Sequence, residues 1–469
     1  MNSNEGIVNL ETDYLVIGAG AAGMAFVDEV LSRCKTSTFV ISDQLARPGG
    51  HWNHAYPFVT LHQGSYFYGV NSEVLERDPR EIDLSSKHEM LAYYDKVMRK
   101  FLASGRVTFL PQTSYQWRED GDEDHVVKSI ILSGVTYHVT VRKKFVNACA
   151  QQIKVPSTHV PSYQIDKDVR ENCVPINELG SLKRSYEEFV VIGNGKTGID
   201  AVLYLLNQGV SPSSIRWVVS RELWWYDRKW FGPSSAQDFI IEIIRVLGEE
   251  DDTGAIFRRL EDKGILMRMQ DDPDAEDPKL FRCATITKAE RDAVQNIKEF
   301  VRLGHVTRIT RDRIVFGDRG SIPTTANTLH VDCTANGLPR QARKPIFGDD
   351  TITLQPVLSC NVTWSSAIIG MLEVLEGNNE DAKRSIIKTA PHPEAKEDWV
   401  AAFYVTFQNL VALSKKYRRQ GFDGMRLSIM NHGPMLSTLY KEHFVLPKIL
   451  DKMLAKAEIF LNKYDSPSA

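Results

Sequence analysis

The sequence predicts an α/β protein, because apolar strands alternate with helical segments and two of the strands run into glycine-rich turns. The first turn follows an apolar strand at residues 13–17, and the second follows one at residues 189–192. Each turn leads into a helix and a further strand, which makes two βαβ units of roughly 30 residues. The 469 residues leave room for two domains built on these units.

The first unit contains the strand at 13–17, a helix at 24–34 and a strand at 38–42. Gly18, Gly20 and Gly23 have the spacing that permits a tight turn, close approach of a pyrophosphate and tight helix–strand packing. Asp43 ends the second strand, where an acid can accept a hydrogen bond from a ribose hydroxyl. The alternative is an ordinary strand–helix turn. The predicted dinucleotide contacts are Gly18, Ala19, Gly20, Ala21, Ala22, Gly23, Asp43 and Gln44.

The segment after the first unit has three parts. Residues 47–71 form a loop rich in glycine, histidine and aromatic residues, and a helix is predicted at 87–102. Alternating apolar residues predict a small antiparallel sheet with strands at 126–132 and 137–141, followed by an apolar return strand at 145–150.

The second unit repeats the pattern with a strand at 189–192, a helix through Leu206 and a strand at 215–219. Its second strand ends in Ser220 and Arg221 instead of an acid, and a guanidinium suits a 2′-phosphate, so NADPH is favoured over NADH. A solvated surface charge is the alternative for Arg221. The predicted contacts of this second dinucleotide are Gly193, Asn194, Gly195, Lys196, Thr197, Gly198, Ser220 and Arg221.

The rest of the chain is predicted to be largely helical. Residues 235–303 are predicted to be a helical insertion or lid, broken by an acidic loop at 270–278. Strands are expected at 306–309, 313–316 and 328–332, and helices at 397–416 and 446–463. An aromatic cluster fits core packing slightly better than an apolar substrate pocket, and its members are Trp217, Trp224, Trp225, Tyr226 and Trp230.

Two fingerprints in this order resemble the flavoproteins with two dinucleotide-binding domains, specifically the flavin-containing and Baeyer-Villiger monooxygenase group. The segment 43–52, with Asp43, Gly49, Gly50 and Trp52, is similar to that group's acid-x5-GGxW stretch. Residues 332–335 are similar to its late D-[ATC]-[TS]-[GA] strand end, and 146–150 to the earlier counterpart. The group's FxGxxxHxxxW/D signature is absent from 154–184, so the resemblance, over about residues 10–340, is to a divergent member.

The resemblance implies two Rossmann-like dinucleotide-binding domains, the second inserted in the first. Residues 1–185 and 325–469 would form the FAD domain, and 186–324 the NADPH domain with the helical insertion. Asp332 and Thr334 would contact cofactor, and Gly50, His51, Trp52, His62 and Gln63 would lie beside the flavin. His51, Trp52 and His62 are the catalytic candidates, with a histidine exchanging protons near neutral pH. Simple loop packing is the alternative, and it is at least as favoured for His54 and Tyr56.

The implied function is an FAD- and NADPH-dependent monooxygenase that transfers hydride to flavin, activates molecular oxygen and acts on a small apolar or aromatic substrate. The alternatives are a flavin oxidase or dehydrogenase reduced by its own substrate, and a non-catalytic flavin-binding protein. A net charge of −3 argues against a nucleic-acid partner, and no apolar run predicts membrane insertion, so a cytoplasmic protein is expected. The six cysteines lack CxxC spacing and are expected to be isolated thiols, with no metal site.

Overall fold

The first glycine turn belongs to a seven-stranded sheet, seen in a computed structural model that describes residues 6–78, 81–117, 125–270, 276–422, 425–427 and 446–465. Its strands are β1 (Gly6–Ile17), β2 (Phe39–Asp43), β3 (Val107–Pro111), β4 (Thr113–Tyr115), β5 (His125–Ser129), β6 (Val135–Asn147) and β19 (Thr351–Thr353). β3, β2, β1 and β6 pair in parallel in that order, and β19 pairs in parallel with the end of β6. β5 and β4 add an antiparallel edge.

One strand of this sheet differs from the sequence-based prediction. The separate strands expected at 137–141 and 145–150 are a single strand, β6, and its charged middle does not break it. Arg142 donates to Asp13 on β1 at 3.0 Å, and Lys144 donates to the Gly348 carbonyl at 3.1 Å. Because both charged side chains have hydrogen-bond partners, the strand continues where the apolar alternation stops.

The second glycine turn belongs to a separate, fully parallel sheet with the order β14–β10–β9–β18–β8. These strands are β8 (Cys173–Pro175), β9 (Glu188–Ile192), β10 (Ile215–Val218), β14 (Glu299–Val301) and β18 (Thr328–Asp332). Such a sheet is buried on both faces, which fits its apolar strands. The two predicted βαβ units are therefore both present, and the fold is α/β with two dinucleotide-binding-type units.

Two smaller sheets complete the strand inventory of the described residues. One joins β11 (Leu223–Asp227), β12 (Leu266–Met267) and β13 (Leu280–Ile286), and the other joins β7 (Gln164–Ile165), β15 (Arg308–Ile309), β16 (Arg313–Val315) and β17 (Ser321–Pro323). The segment 235–303 is thus less helical than expected, since β12, β13 and β14 interrupt its helices. The predicted acidic loop falls partly on 271–275, outside the described residues.

The helices cover the sheets and carry the main core. They are α1 (Ala21–Arg33), α2 (Lys87–Ala103), α3 (Lys196–Asn207), α4 (Ala236–Glu249), α5 (Thr253–Asp262), α6 (Lys288–Gln295), α7 (Val362–Glu376), α8 (Glu380–Ile386), α9 (Lys396–Tyr417) and α10 (Leu446–Asp465). α1 packs on α7 so closely that a Cβ at Gly370 would lie 3.0 Å from the Phe26 carbonyl. In the described part of the chain, no helix is both long enough and apolar enough to cross a bilayer.

The inserted segment packs against the C-terminal helices rather than standing apart as a lid. Phe257 of α5 packs edge-to-face against Trp399 of α9 with ring centroids 5.3 Å apart, and Gly248 of α4 faces Ile449 of α10. Most of the aromatic cluster is core, as favoured from the sequence: Trp217, Trp224, Trp225 and Tyr226 are each at most 3% exposed. Trp225 also borders the large cavity described below.

The domain limits of 185 and 325 stay a prediction. Sheet pairing assigns β8 and β18 to the second sheet, although both lie outside the segment 186–324. A division drawn along the sheets would therefore start the second unit before Cys173 and end it after Asp332.

Candidate cofactor site

One cavity of about 1170 Å³ lies at the carboxyl ends of the parallel strands of both sheets. Both glycine turns line it, and so does the loop at 51–63 that connects them in space. Small-molecule sites usually occupy about 300–1000 Å³, so the volume of this cavity lies just above the usual range. In open α/β sheets, ligands bind at this edge.

The first turn is a tight cradle made by three glycines. Gly18 has φ +109°, in the left-handed region, and a Cβ at Gly23 would lie 2.1 Å from the Gly18 carbonyl oxygen. Gly20 is the N-cap of α1, no side chain caps this end of the helix, and its first turn holds no acid. The first N–H groups of the helix are therefore available to an anion at the cavity wall.

Asp43 ties this cradle to the second strand. Its carboxylate accepts hydrogen bonds from the backbone N–H of Ala19 at 2.6 Å and of Leu45 at 2.8 Å. Burial raises the pKa of Asp43, and the two N–H donors act in the opposite direction. A carboxylate has about four acceptor positions, so two remain for a ligand hydroxyl in the cavity that Asp43 and Gln44 line.

The second turn has the same backbone but opens more widely. Gly193 has φ +118°, and a Cβ at Gly198 would lie 2.1 Å from the Gly193 carbonyl oxygen. No described atom lies within 4 Å of a Cβ built at Gly195, the uncapped N-cap of α3. The turn therefore offers a helix N-terminus to the open part of the cavity.

Side chains around the second turn divide between internal and cavity-facing roles. Lys196 pairs with Asp200, which also accepts the Tyr56 hydroxyl at 2.5 Å, and Asn194 donates to the Arg221 carbonyl. Ser220, Thr197 and the exposed Arg221 line the cavity. Among the described residues, the Arg221 guanidinium has no hydrogen-bond or ion-pair partner of its own, so it is available to an anion.

The loop at 51–63 places four predicted residues on the cavity wall: His51, Trp52, His62 and Gln63. Trp52 is 5% exposed, stacks on His51 and donates to the Tyr68 hydroxyl at 3.3 Å. His62 accepts the Thr285 N–H on Nδ1 at 3.3 Å. Gly50 lines the cavity beside them.

Two histidines of this wall, His51 and His62, are held neutral at pH 7 by burial. Burial lowers the pKa of His51 to about 4. Burial, aided by the charges of Lys196 and Arg228, lowers the pKa of His62 to about 3. The expectation that a histidine of this loop exchanges protons near neutral pH stays a prediction, and the burial of His51 and His62 acts against it. Since its Nδ1 is an acceptor, neutral His62 carries its proton on Nε2.

No protein-family model matches the chain. Curated relatives do match. Among them, the uncharacterized proteins Rv2000 of Mycobacterium tuberculosis and Mb2023 of Mycobacterium bovis are each 36% identical over 414 residues, which covers 85% of this chain and 74% of theirs. The chain belongs to the family of these mycobacterial proteins. The family is thus defined by sequence relatives whose names state no activity.

A solved structure with the same architecture adds the fold. Cyclohexanone monooxygenase with bound ε-caprolactone is 14% identical with a TM-score of 0.50, over 89% of this chain and 99% of that one. At this identity the likeness concerns the fold alone. It agrees with the fold class predicted from the sequence: two Rossmann-like units, the second inserted in the first.

Asp332 does not face the cavity. It is buried at the end of β18, where it accepts the Tyr163 hydroxyl at 3.1 Å and the Thr334 hydroxyl at 2.7 Å. Its predicted cofactor contact stays a prediction, and in this structure internal donors already occupy its carboxylate. Thr334 itself lines the cavity, and so do the other predicted contacts except Ala19, Gly23 and Gly198.

The cysteines depart most from expectation. Cys283 and Cys360 form a disulfide, whereas Cys34, Cys149, Cys173 and Cys333 are free. The partners lie 77 residues apart, so no local spacing motif marks them. Across the described ranges, no cluster of three or more His, Cys, Asp or Glu side chains could hold a metal ion.

Proposed function

We propose that this chain is an FAD-dependent oxidoreductase that uses NADPH, with FAD at the first glycine turn and NADPH at the second. The observation that carries this proposal is that two uncapped helix N-termini, α1 and α3, face one cavity. Each is preceded by a glycine turn of the kind that holds a pyrophosphate.

The residues of the first turn fit an FAD. The missing Cβ atoms of Gly18 and Gly23 let strand, turn and helix close on each other, which leaves the helix amides at the surface of the cavity. Asp43 keeps acceptor positions for a ribose hydroxyl beyond its two backbone donors. Trp52 and Tyr68 form a buried aromatic wall further along the same cavity, where a flat ring can pack.

The residues of the second turn fit NADPH better than NADH. An acid in this position would repel a 2′-phosphate, and the strand β10 is followed instead by Ser220 and Arg221. The exposed Arg221 has five donors in a planar fork that matches a phosphate. The open space at Gly195 leaves room for the pyrophosphate.

The finer proposal is monooxygenase chemistry on a small apolar or aromatic substrate, with molecular oxygen as co-substrate. The fold shared with a cyclohexanone monooxygenase supports it by analogy of architecture. When bound, the two cofactors supply the hydride and oxygen chemistry. The chain binds and orients them, excludes water with the Trp52 wall, and presents a neutral imidazole N–H at His62 as a fixed donor.

The test is anaerobic rapid mixing of the purified protein with NADPH and, separately, with NADH. We expect the protein to purify yellow and the visible flavin band to bleach much faster with NADPH. Oxygenated buffer should then restore the band, and an added apolar ketone should be oxidised with it. A protein that contains no flavin at any stage of purification would contradict the proposal. Flavin that neither nucleotide reduces would favour the oxidase or the non-catalytic protein.

A further inference from the structure

The Cys283–Cys360 disulfide borders the same cavity as both glycine turns. Both cysteines are only partly buried, and both line the cavity wall. Their Cα atoms are 6.5 Å apart, within the usual range of about 4.4–6.8 Å for a disulfide. The four remaining cysteines have no such partner.

The disulfide lies next to the aromatic wall. Cys360 directly precedes Asn361, the N-cap of α7, and the Thr363 hydroxyl donates to the Phe67 carbonyl at 3.4 Å. Phe67 is followed by Tyr68, whose hydroxyl accepts the Trp52 N–H. The start of α7 therefore packs directly on the loop that carries Trp52, on the side of the cavity assigned to the flavin.

The backbone at both ends of the bridge is unusual. Cys283 has φ +57°, at a point where the pairing of β13 with β11 shifts register between Trp224 and Tyr226. Ser359, next to Cys360, has φ +40°. Residues other than glycine rarely adopt this conformation, and such residues cluster at functional sites.

The electrostatic setting suits reduction of the bridge. Cys360 stands at the N-terminal end of the 15-residue helix α7, and the positive end of a helix favours a thiolate over a thiol. A thiolate there would be a good leaving group when the S–S bond breaks. The neighbouring charge of Arg282 is balanced by Glu394 at 2.6 Å.

We propose that Cys283–Cys360 is a redox-active disulfide of the cavity, which takes two electrons from NADPH and passes them to a small disulfide. The electron supply rests on the function proposed above. In the first step the S–S bond breaks, and the two sulfurs take up one hydride equivalent from NADPH and one proton from solvent to become two thiols. In the second step the dithiol reduces an entering disulfide to two thiols by exchange and closes again.

The test counts thiols in the purified holoprotein, under argon, before and after NADPH. The protein is denatured in iodoacetamide, and the alkylated cysteines are identified from the masses of its peptides by mass spectrometry. We expect four alkylated cysteines before NADPH and all six afterwards, the new ones being Cys283 and Cys360. A bridge that stays closed while the flavin band bleaches, and that dithiothreitol opens, makes the disulfide structural and overturns the inference. Six alkylated cysteines at the start overturn it as well.

The flavin spectrum separates this failure from that of the proposed function. If NADPH leaves the flavin band unchanged, the proposed function fails and the electron supply fails with it. If the band bleaches but the bridge stays closed, only the inference fails.

A second arm uses a disulfide probe, 5,5′-dithiobis(2-nitrobenzoate), with NADPH. We expect the unmodified chain and C34S to reduce the probe and the double variant C283S/C360S to lose this activity, while NADPH still bleaches its flavin. Cys34 is a matched control because it is a free cysteine away from the cavity. Equal rates in C34S and the double variant overturn the inference. If the double variant does not fold, the thiol count on the unmodified chain decides the question alone.

Discussion

The two glycine turns share a backbone and differ in what surrounds it. In both, the opening glycine has a positive φ and the closing glycine would clash with the opening carbonyl if it carried a Cβ. They differ at the middle glycine. A Cβ at Gly20 would lie 3.5 Å from the Gly50 Cα, whereas no described atom approaches a Cβ at Gly195 within 4 Å.

The residues after the second strand of each unit extend this difference. Asp43 is held by two backbone N–H groups of the first unit, whereas Arg221 is exposed. The first turn is thus a closed, pre-assembled cradle and the second an open cationic one. Under the function proposed above, the closed first turn would retain FAD and the open second turn would exchange NADPH.

The largest expected effect comes from closing the first cradle with a methyl group. In G23A the Cβ would lie 2.1 Å from the Gly18 carbonyl oxygen, a backbone atom that cannot yield without opening the turn. We expect loss of bound flavin and of about 3 kcal/mol in the free energy of unfolding, the upper end for overpacking. The flavin-to-protein ratio measures the loss of flavin, and urea unfolding measures the loss of stability. G6A, with only a 3.9 Å contact, is the control. Full flavin content in G23A would contradict the closed cradle.

The next effect concerns the open cradle. R221A removes the free guanidinium, and a hydrogen bond to a charged group contributes about 1.5–3 kcal/mol. We therefore expect the KM for NADPH to rise by roughly 10- to 150-fold, with the KM for NADH unchanged. Arg302, an exposed arginine paired with Glu222 and absent from the cavity wall, provides the control R302A. An equal rise in KM for NADPH and NADH would contradict the proposal that Arg221 binds the 2′-phosphate.

The low pKa of His62, in the loop at 51–63 between the two glycine turns, predicts that the protein loses stability at acid pH. The folded chain holds the pKa of His62 at about 3, so below about pH 6.5 the unfolded chain binds a proton that the folded chain does not. Stability is therefore lost as the pH falls from about 6.5 towards 3, by up to about 1.4 kcal/mol per pH unit for this group. H62N keeps an acceptor for the Thr285 N–H and should show a shallower loss in urea unfolding. The two proteins should have similar free energies of unfolding at about pH 8. Curves of unfolding free energy against pH that stay parallel over the whole range would contradict the role of His62.

The sequence predicts the cradles well because their determinants are local. Glycine spacing, strand apolarity and the residue after the second strand lie within each βαβ unit, and the structure contains both units. Residues whose role depends on distant partners were not predictable in this way. Asp332 ends a strand just as Asp43 does, but its carboxylate accepts the hydroxyl of Tyr163, which lies 169 residues earlier. Cys283 lies at a register shift in β13 and Cys360 lies just before α7, so their pairing joins elements that are 77 residues apart in the sequence.

The smallest expected effect tests the comparison of the two glycine turns most directly, because the substitutions should change ligand binding without changing folding. G20A and G195A both place a Cβ where the protein has room, at 3.5 Å from Gly50 and in open space respectively, so we expect unfolding curves close to that of the unmodified chain. Each methyl group would still stand where a pyrophosphate should meet the backbone. G195A should therefore weaken the binding of NADPH by about 1 kcal/mol, roughly fivefold in Kd, without changing the flavin content. G20A should lower flavin content and leave the Kd for NADPH unchanged in the flavin-loaded fraction. If G195A binds NADPH as the unmodified chain does, the second turn is a structural copy of the first and the nucleotide binds elsewhere in the cavity.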